Sequence, residues 1–265
     1  MLECVVNISE GRDDALVGQI ASAAGDGLLD VHSDAHHNRS VLTLVGEEAP
    51  RSVSRVAVEV LDISSHEGVH PRLGVVDVVP FVALFGSDPA EALAARDRFA
   101  TWLSDGLGVP CFRYGPERSL PEVRRRAFRD LDPTDGPTEP HATAGATAVG
   151  ARDLLVAYNL WVEAPGLDAV RKLAAAARGP HLRALGLAVG ERYQVSMNLI
   201  DPGRLGPADA YDHVKRLAEA VDTKVVGAEL VGLLPASVLT ATPRERWAQL
   251  DLAEDRTIEA RLARR

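Results

Sequence analysis

The order of strands and helices in this sequence occurs twice, and this repetition limits the fold more than any other feature. In the first copy, apolar alternation and β-branched runs predict strands near residues 2–9, 27–34, 40–46, 75–85 and 109–115. Helical periodicity lies between them, in DDALVGQIASAAG, APRSVSRVAVEVLDI and DPAEALAARDRFATWLSDGLG. In the last of these, Asp88 and Pro89 suit an N-cap and a first helical turn. The resulting order is β-α-β-β-α-β, followed by a further helix and strand.

The second copy follows a turn-rich stretch, LDPTDGPTEPHATAGATAVGARD, which has no helical period and is interpreted as a connector. After it, LLVAYNLWVE predicts a strand, GLDAVRKLAAAARG a helix, residues 182–201 two strands, GPADAYDHVKRLAEAVD a helix and TKVVGAELVGL a strand. We therefore predict an α/β (α+β) fold of two ferredoxin-like split βαβ lobes, residues 1–153 and 154–265, with a ligand cleft between them. A final helix, AEDRTIEARLARR, is expected on the outside or at a subunit contact.

The charge and the cysteines narrow the function classes. The 265 residues carry a formal net charge of −9, which argues against a nucleic-acid partner. The run Arg124-Arg125-Arg126 is interpreted as a solvated helix face, and the two cysteines fit a reducing compartment. The N-terminus does not resemble a signal peptide, and the longest apolar stretch is too short to cross a bilayer. We therefore expect a cytoplasmic protein that does not bind membranes.

The segment HEGVHPR, residues 66–72, matches the H-E-x-x-H pattern of zinc peptidases letter by letter. That pattern requires two histidines on one face of a helix. Here Gly68 costs about 1 kcal/mol against alanine in a helix interior, and Pro71 biases His70 away from the α region. The run LGVVDVVPFV that follows predicts a buried strand. We therefore place His70 on an extended loop entering a strand, which is a good position for a catalytic group.

Five of the eight histidines fall in two short segments, DVHSDAHHNRS and HEGVHPR. A metal cluster built from His32, Asp34, His36 and His66 would suit zinc or iron, but no recognised ligand spacing supports it. A polar turn is the favoured interpretation of His36. No metal site is predicted.

Each of these two segments also holds an arginine, Arg39 or Arg72. An arginine on a short rigid loop suits bidentate capture of a carboxylate or phosphate. The alternative is a salt bridge to a nearby acid such as Asp34, Glu67 or Asp77.

The residues between the first strand and the first helix offer a third polar segment. Asn7, Ser9, Glu10 and Gly11 precede a helix whose free amides could hold an anion. Capping of the helix by Ser9 is an equally good interpretation. Nucleotide-binding fingerprints, a Walker loop and a G-x-S-x-G elbow are absent from the sequence.

Six ordered segments resemble the motifs of one family: ECVVNISEGRD, DVHSDAHHNRS, HEGVHPRLGVVDVVPFV, GPTEPHATAGATAVGARDLLVAYNL, QVSMNLID and ELVGLLP. They are similar to those of the formiminotransferases, the glutamate formimidoyltransferase family, from Glu3 to about Pro235. The resemblance implies a two-lobed α/β subunit, a homodimer, and an electropositive tunnel between the lobes for tetrahydrofolate and its glutamate tail. Because the sequence ends at Arg265, we expect a stand-alone transferase without a cyclodeaminase domain.

The resemblance also implies the reaction and its residues. The family transfers a formimino group from N-formimino-L-glutamate to tetrahydrofolate, its co-substrate, giving 5-formiminotetrahydrofolate and L-glutamate in histidine degradation. Its catalytic histidine, before Pro-Arg, corresponds to His70. The candidates for substrate binding are polar residues of the three segments, namely Glu10, His32, Asp34, Asn38, Arg39 and Arg72.

Two stretches correspond to the folate-binding parts of the family. The first comprises Gly136, Pro137, Thr138, Glu139, Pro140, His141, Ala142, Thr143, Ala144 and Gly145. The second comprises Gly179, Pro180, His181, Leu182, Arg183, Ala184, Leu185, Gly186, Leu187 and Ala188. The segment that holds the second stretch is short compared with the family pattern. His36 stands where many bacterial relatives have aspartate, so Asp34 or Glu67 would have to orient His70.

The chemistry suits these residues. N5 of the pterin attacks the amidine carbon, a proton leaves N5, and another must reach the departing glutamate nitrogen. One imidazole with a pKa near 7 can serve both steps, and a covalent role of His70 is the open alternative. Arg39, Arg72 and Arg183 are the candidate clamps for carboxylates. A formyltransferase acting on N-formylglutamate or 5-formyltetrahydrofolate, and a non-catalytic folate-binding protein, remain alternative functions.

Overall fold

The computed structural model describes residues 1–265 and divides into two compact units, residues 1–153 and residues 154–265. Each unit has its own sheet and its own hydrophobic core. The predicted fold class is confirmed: both sheets contain the split β-α-β-β-α-β pattern with ferredoxin-like strand order. A ligand cleft between the lobes stays a prediction.

The first unit contains six strands and four helices. In chain order they are β1 (Leu2–Ile8), α1 (Asp14–Ser22), β2 (Leu28–Asp34), β3 (Arg39–Val45), α2 (Glu48–Val60), β4 (Val76–Ala83), α3 (Pro89–Leu107), β5 (Cys111–Tyr114), α4 (Leu120–Arg126) and β6 (Thr147–Ala151). The sheet order is β2-β3-β1-β4-β6-β5. The first four strands pair antiparallel, whereas β6 lies parallel to both β4 and β5.

The predicted start of the third helix is confirmed. Asp88 is the N-cap of α3, its side chain accepts from the N–H of Ala90 at 2.8 Å, and Pro89 occupies the first turn. The helix ends at Gly108, whose φ of 67° is a left-handed conformation that favours glycine. These signals are local, which is why the sequence alone located this helix.

Part of the predicted connector is wrong. Residues Thr147–Ala151 form a buried strand that completes the six-stranded sheet. The strand was missed because its five residues, TAVGA, are mostly small and show no alternation of apolar and polar types. Its position next to β4 places the end of the turn-rich stretch against the strand that follows His70.

The central strand β4 positions the candidate site. It pairs with β1 on one side and β6 on the other, and the seven residues from Val76 to Val82 are buried. Alternate residues face two clusters: Val79 and Phe81 pack in the main core, and Val78 packs with residues of β5, β6 and α4. Within this strand Asp77 is the only charged residue, and it is 0% exposed. A buried charge of this kind requires partners.

The second unit contains four antiparallel strands in the order β10-β7-β9-β8. Its elements are β7 (Val156–Glu163), α5 (Leu167–Ala177), β8 (Leu182–Val189), β9 (Arg192–Leu199), α6 (Pro207–Glu219), β10 (Lys224–Val231), α7 (Ala236–Thr240) and α8 (Ile258–Leu262). The core lies between the sheet and the two long helices, and Tyr158, Leu173 and Leu182 are among its fully buried side chains.

The predicted last helix is only partly helical. A short 3-10 turn covers Glu254–Arg256, and α8 begins after Thr257, whose side chain accepts from the N–H of Ala260. Ile258 anchors this short helix because its side chain is buried. No helix of the chain combines the length and the apolar character needed to cross a membrane.

Candidate active site

Three polar segments meet at the start of β4 in the first unit, and Asn38 connects them. Its side-chain Oδ1 accepts from the N–H of Gly11 at 3.0 Å, and its Nδ2 donates to the carbonyl of Glu67 at 3.0 Å. Its own carbonyl accepts from Nε2 of His66 at 2.9 Å. Asn38 is 7% exposed and has a φ of 47°, a left-handed conformation that asparagine tolerates better than most residues. The residue therefore holds the three segments together, and its role in substrate binding stays a prediction.

Two glycines allow these segments to approach closely. A Cβ on Gly11 would lie 2.5 Å from the backbone nitrogen of Arg39 and from the carbonyl oxygen of Asp34. A Cβ on Gly68 would lie 2.4 Å from the carbonyl oxygen of His37. Because backbone atoms cannot move aside as the end of a side chain can, both positions require glycine.

The segment HEGVHPR is a loop, so the helical geometry of a zinc peptidase is absent. Arg72 holds the loop in shape: its guanidinium donates to Nδ1 of His66 at 2.5 Å, to the carbonyl of Gly68, and to the carbonyl of His70 at 2.9 Å. His66 donates through Nε2 and accepts through Nδ1, so it is neutral, and burial followed by the Arg72 cation lowers its pKa. The carboxylate-clamp role of Arg72 stays a prediction.

His70 lies at the centre of this loop with one nitrogen fixed. Its Nδ1 lies 2.8 Å from the carbonyl oxygen of Pro71, which can only accept, so Nδ1 carries the proton and donates. In the neutral ring, Nε2 is then left with its lone pair. Burial, followed by the cation of Arg39, lowers the pKa of His70 from 6.5 to about 3. At neutral pH the side chain is therefore an imidazole whose Nε2 can accept a proton or attack a carbon.

The ring of His37 packs against the ring of His70. Their centroids are 6.2 Å apart and their planes differ by 70°, which is an edge-to-face contact. His37 is 9% exposed, and its backbone N–H donates to Oδ1 of Asp34 at 2.8 Å. The sequence indicated only a polar turn here, and the proximity of the two rings was not predicted.

A buried ion cluster lies beside His70. The carboxylate of Asp77 accepts from Nη1 of Arg39 at 2.5 Å and from Nη2 of Arg124 at 2.7 Å, and its Oδ1 accepts from the backbone N–H of Leu73 at 2.7 Å. The two arginines and these hydrogen bonds outweigh desolvation and hold the pKa of Asp77 at about 2, below its ordinary 3.8. One carboxylate with two guanidiniums leaves a net positive charge next to the imidazole.

Two of the sequence interpretations are settled by this cluster. The alternative of a salt bridge between Arg39 and Asp77 is confirmed. The interpretation of the arginine run as a solvated helix face is wrong for Arg124, whose side chain is 17% exposed and turned toward Asp77. It holds for Arg125, which is exposed on the same helix. Arg39 also donates to Oδ1 of Asn7 at 2.8 Å, so the end of β1 contributes to the site.

The remaining candidates for substrate binding serve turns and helix ends in this structure. Oδ1 of Asp34 accepts from the N–H groups of His36 and His37, both at 2.8 Å, which is a polar turn. Oε1 of Glu10 accepts from the backbone N–H groups of the three residues that precede α1, at distances from 2.7 to 3.0 Å. His32 is half-buried on β2 opposite Val41. Their contacts with a substrate stay predictions.

The start of α1 differs from both sequence interpretations. Asp13, and not Ser9, is the N-cap, and its Oδ1 accepts from the N–H groups of Ala15 and Leu16. Ser9 instead donates to the carbonyl of Gly74 at 2.8 Å. The first helical amides are therefore already occupied by the carboxylate of Asp13, and Glu10 occupies the amides just before the helix.

No three histidine, cysteine, aspartate or glutamate side chains are grouped so that they could hold a metal ion. The cluster considered from the sequence, with His32, Asp34, His36 and His66, is therefore not assembled. His66 instead uses both ring nitrogens for hydrogen bonds within the loops.

The stretch Gly136–Gly145 ends against the loop that carries His70. The carbonyl of Thr143 accepts from the N–H of Ile63 at 2.8 Å, and the carbonyl of Ala144 accepts from the N–H of Val75 at 3.0 Å. The turn closes on itself because Nδ1 of His141 accepts from the N–H of Ala144. Residues 136–140 are exposed, which leaves that part of the stretch accessible to a ligand.

The stretch Gly179–Ala188 lies in the second unit and enters β8. The side chains of Leu182 and Ala184 point into the core, whereas Arg183 and Leu185 are exposed on the opposite face. Any ligand contact of this stretch would therefore involve the exposed side chains or the backbone. Its role in folate binding stays a prediction.

Two ferredoxin-like units, one of which carries a neutral histidine beside a cationic cluster, define an α/β protein equipped for proton or group transfer on acidic small molecules. Comparison with known families is more specific. The family model for the formiminotransferase domain, N-terminal subdomain, matches residues 1–152, and the model for the formiminotransferase domain matches residues 168–262. The chain belongs to the formiminotransferase family.

Similar proteins span bacteria, archaea and animals. A glutamate formimidoyltransferase of Streptococcus pyogenes serotype M1 is 36% identical over an alignment of 270 residues, with 90% of this chain and 90% of the relative covered. A glutamate formimidoyltransferase of Thermoplasma acidophilum is 31% identical, with 90% of this chain and 89% of the relative covered. The formimidoyltransferase-cyclodeaminase of Sus scrofa is 33% identical, but the chain spans only 51% of that relative.

Proposed function

We propose that this protein is a transferase that moves the formimino group of N-formimino-L-glutamate to tetrahydrofolate, giving 5-formiminotetrahydrofolate and L-glutamate in histidine degradation. Family membership along most of the chain supports this, as do relatives named glutamate formimidoyltransferase that are matched over about nine tenths of their length. The observation that carries the proposal is the imidazole of His70, which has Nδ1 fixed on a carbonyl, a pKa of about 3, and a cationic cluster beside it.

The geometry of His70 suits the chemistry of amidine transfer. When N5 attacks the amidine carbon it becomes cationic, and Nε2 of a neutral imidazole can accept its proton. The bond from the same carbon to the glutamate nitrogen then breaks, and that nitrogen needs a proton as it leaves. Because Nδ1 is held on Pro71, the ring presents Nε2 in one fixed orientation. The low pKa keeps the ring neutral at pH 7, although it lies well below the value near 7 that the sequence led us to expect.

The cationic cluster suits an acidic donor. N-formiminoglutamate and the folate tail both carry carboxylates, and the side chain of Arg39 is 12% exposed beside His70. The exposed residues of Gly136–Gly145 adjoin the same loop, so they are a suitable folate contact on this unit. Arg183, exposed on the second unit, is the corresponding candidate there. The homodimer and the cytoplasmic location stay predictions.

A side-by-side assay tests this function. N-formiminoglutamate and N-formylglutamate are each supplied with tetrahydrofolate, and the absorbance spectrum identifies the folate product. We expect turnover with the formimino donor. Failure of that donor, or faster turnover of the formyl donor, would overturn the proposal.

A variant of the same protein tests the site. His70→Ala should abolish turnover and leave tetrahydrofolate binding largely intact, whereas His36→Ala, in the exposed turn, should keep the activity of the unaltered chain. Full turnover of His70→Ala would remove this residue from the reaction.

A further inference from the structure

We propose that His37 is a second proton-transfer group of the site: His70 accepts the proton from the attacking nitrogen, and His37 delivers a proton to the departing one. This inference rests on the proposed function and adds a residue to it. Its basis is the juxtaposition of the two imidazoles at the start of β4.

The two rings belong to different segments, and backbone contacts fix the position of one segment relative to the other. His37 lies in the turn between β2 and β3, and His70 lies in the loop before β4. Asn38 joins the turn to the loop through Glu67 and His66, and Gly68 lies directly against the carbonyl of His37. The centroid distance of 6.2 Å is therefore set by backbone contacts on both sides.

The environment of His37 is unusual for a residue of a polar turn. Its neighbour His36 is exposed, whereas His37 is 9% exposed and its ring makes an edge-to-face contact with the ring of His70. Oδ1 of Asp34 accepts from the backbone N–H groups of both residues, so the turn itself explains their backbone positions. It does not require an imidazole at position 37.

The reaction has a use for a second imidazole. One bond forms, from N5 to the amidine carbon, and one breaks, from that carbon to the glutamate nitrogen. One proton leaves N5 and one proton joins the glutamate nitrogen, so the net proton change is zero. His70 can exchange protons only through Nε2, because Nδ1 donates to the carbonyl of Pro71. A single nitrogen would have to serve both reacting nitrogens in turn.

With two imidazoles, each ring carries out one of the two proton transfers. Nε2 of His70 takes the proton from N5, and protonated His37 gives its proton to the glutamate nitrogen. Transfer of the proton from His70 to His37, directly or through one water, then restores both rings. The formimino carbon moves with its own NH group, and no other reactant is consumed.

Rescue by small bases distinguishes this role from simple packing. His37→Ala should lower kcat by at least ~100-fold, in the range of lost general acid–base catalysis, with the KM for N-formiminoglutamate nearly unchanged. Added imidazole should restore turnover. Added pyrazole, of similar size but a far weaker base, should not. Equal rescue by both compounds, or a loss of less than about tenfold, would overturn the proposal.

Two further variants complete the test. His37→Phe keeps an aromatic ring for the contact with His70 but cannot carry a proton, and it provides the test if the alanine variant loses its fold. It should show the same loss of kcat, and wild-type kcat in this variant would overturn the proposal. His36→Ala is the matched control in the same turn and should retain full activity. Absence of transfer by the unaltered chain would instead overturn the proposed function, so the two failures are distinguishable.

Discussion

The guanidinium of Arg124 lies 2.7 Å from the fully buried carboxylate of Asp77, although the two residues are 47 positions apart in the chain. The contact joins α4 to the second residue of β4, and Arg39 shares the same carboxylate from β3. Removing either partner of such a cluster leaves an uncompensated buried charge.

Asp77→Asn should destabilise the first unit by about 3 kcal/mol, because two guanidiniums would then lie together without a counter-charge. Urea unfolding of the full chain measures the effect. Asp132→Asn is the control, since Asp132 is exposed, and it should stay within about 0.5 kcal/mol of wild type. A similar small effect of Asp77→Asn would contradict the importance of the cluster.

The stability difference between the wild type and Asp77→Asn should become smaller as the pH falls. The folded-state pKa of Asp77 is lowered to about 2 from 3.8, so its contribution is complete above about pH 4 and disappears as the pH falls through about 2. Unfolding midpoints of both proteins between pH 7 and pH 2 provide the measurement. A difference that stays constant down to pH 2 would show that the carboxylate charge is not its source.

Arg124→Gln should weaken the cluster more than Arg125→Gln, although the two residues are adjacent in α4. Arg124 donates twice to Asp77, whereas Arg125 is exposed. We therefore expect the free energy of unfolding to fall by about 2 kcal/mol in Arg124→Gln and by less than about 0.5 kcal/mol in Arg125→Gln. Chemical denaturation compares the pair. Equal effects of the two substitutions would mean that the ion pair with Asp77 adds nothing to stability.

His70 should stay neutral far below the usual pH range of histidine. Burial and Arg39 lower its pKa to about 3, so the folded state binds fewer protons than the unfolded state between about pH 6.5 and pH 3. Stability should therefore fall as the pH decreases through this range, and His70→Gln should reduce that fall. NMR titration of the ring, assigned by loss of its signals in the variant, should show a midpoint far below 6.5. A midpoint near 6.5 would contradict this account.

Two glycine-to-alanine substitutions should have opposite effects on the stability of the fold. Gly68→Ala places a Cβ 2.4 Å from the carbonyl oxygen of His37 and should cost about 1–3 kcal/mol while displacing the loop that carries His70. Gly18→Ala, in an open position of α1, should stabilise by roughly 0.5–1 kcal/mol. Thermal unfolding of both variants provides the comparison. A neutral effect of Gly68→Ala would mean that the two segments can separate at little cost.

The sequence alone was sufficient to predict those features of the fold that depend on local signals. The repeated element order, the cap at Asp88 and the loop character of HEGVHPR all follow from periodicity, capping and proline, which act over a few residues. The short strand Thr147–Ala151 was missed because its strand character comes from its neighbours in the sheet, and its own side chains show no alternation.

The site was predictable only in part. The sequence indicated His70 and Arg39 as candidates, but the pairing of Arg124 with Asp77 and the contact of His37 with His70 depend on how distant segments meet. One signal was available: Asp77 is a single acid in an otherwise apolar run, and such a residue requires a buried cation. The identity of that cation could not be read from an arginine run whose three members look equivalent.

Ile63 and Val75 are the two ends of the loop that carries the imidazole, and both are held by consecutive carbonyls at the end of the turn-rich stretch. Residues 143 and 144 therefore hold both ends of the loop. A shift of residues 143 and 144 would therefore move both ends of the loop, and with them the ring of His70.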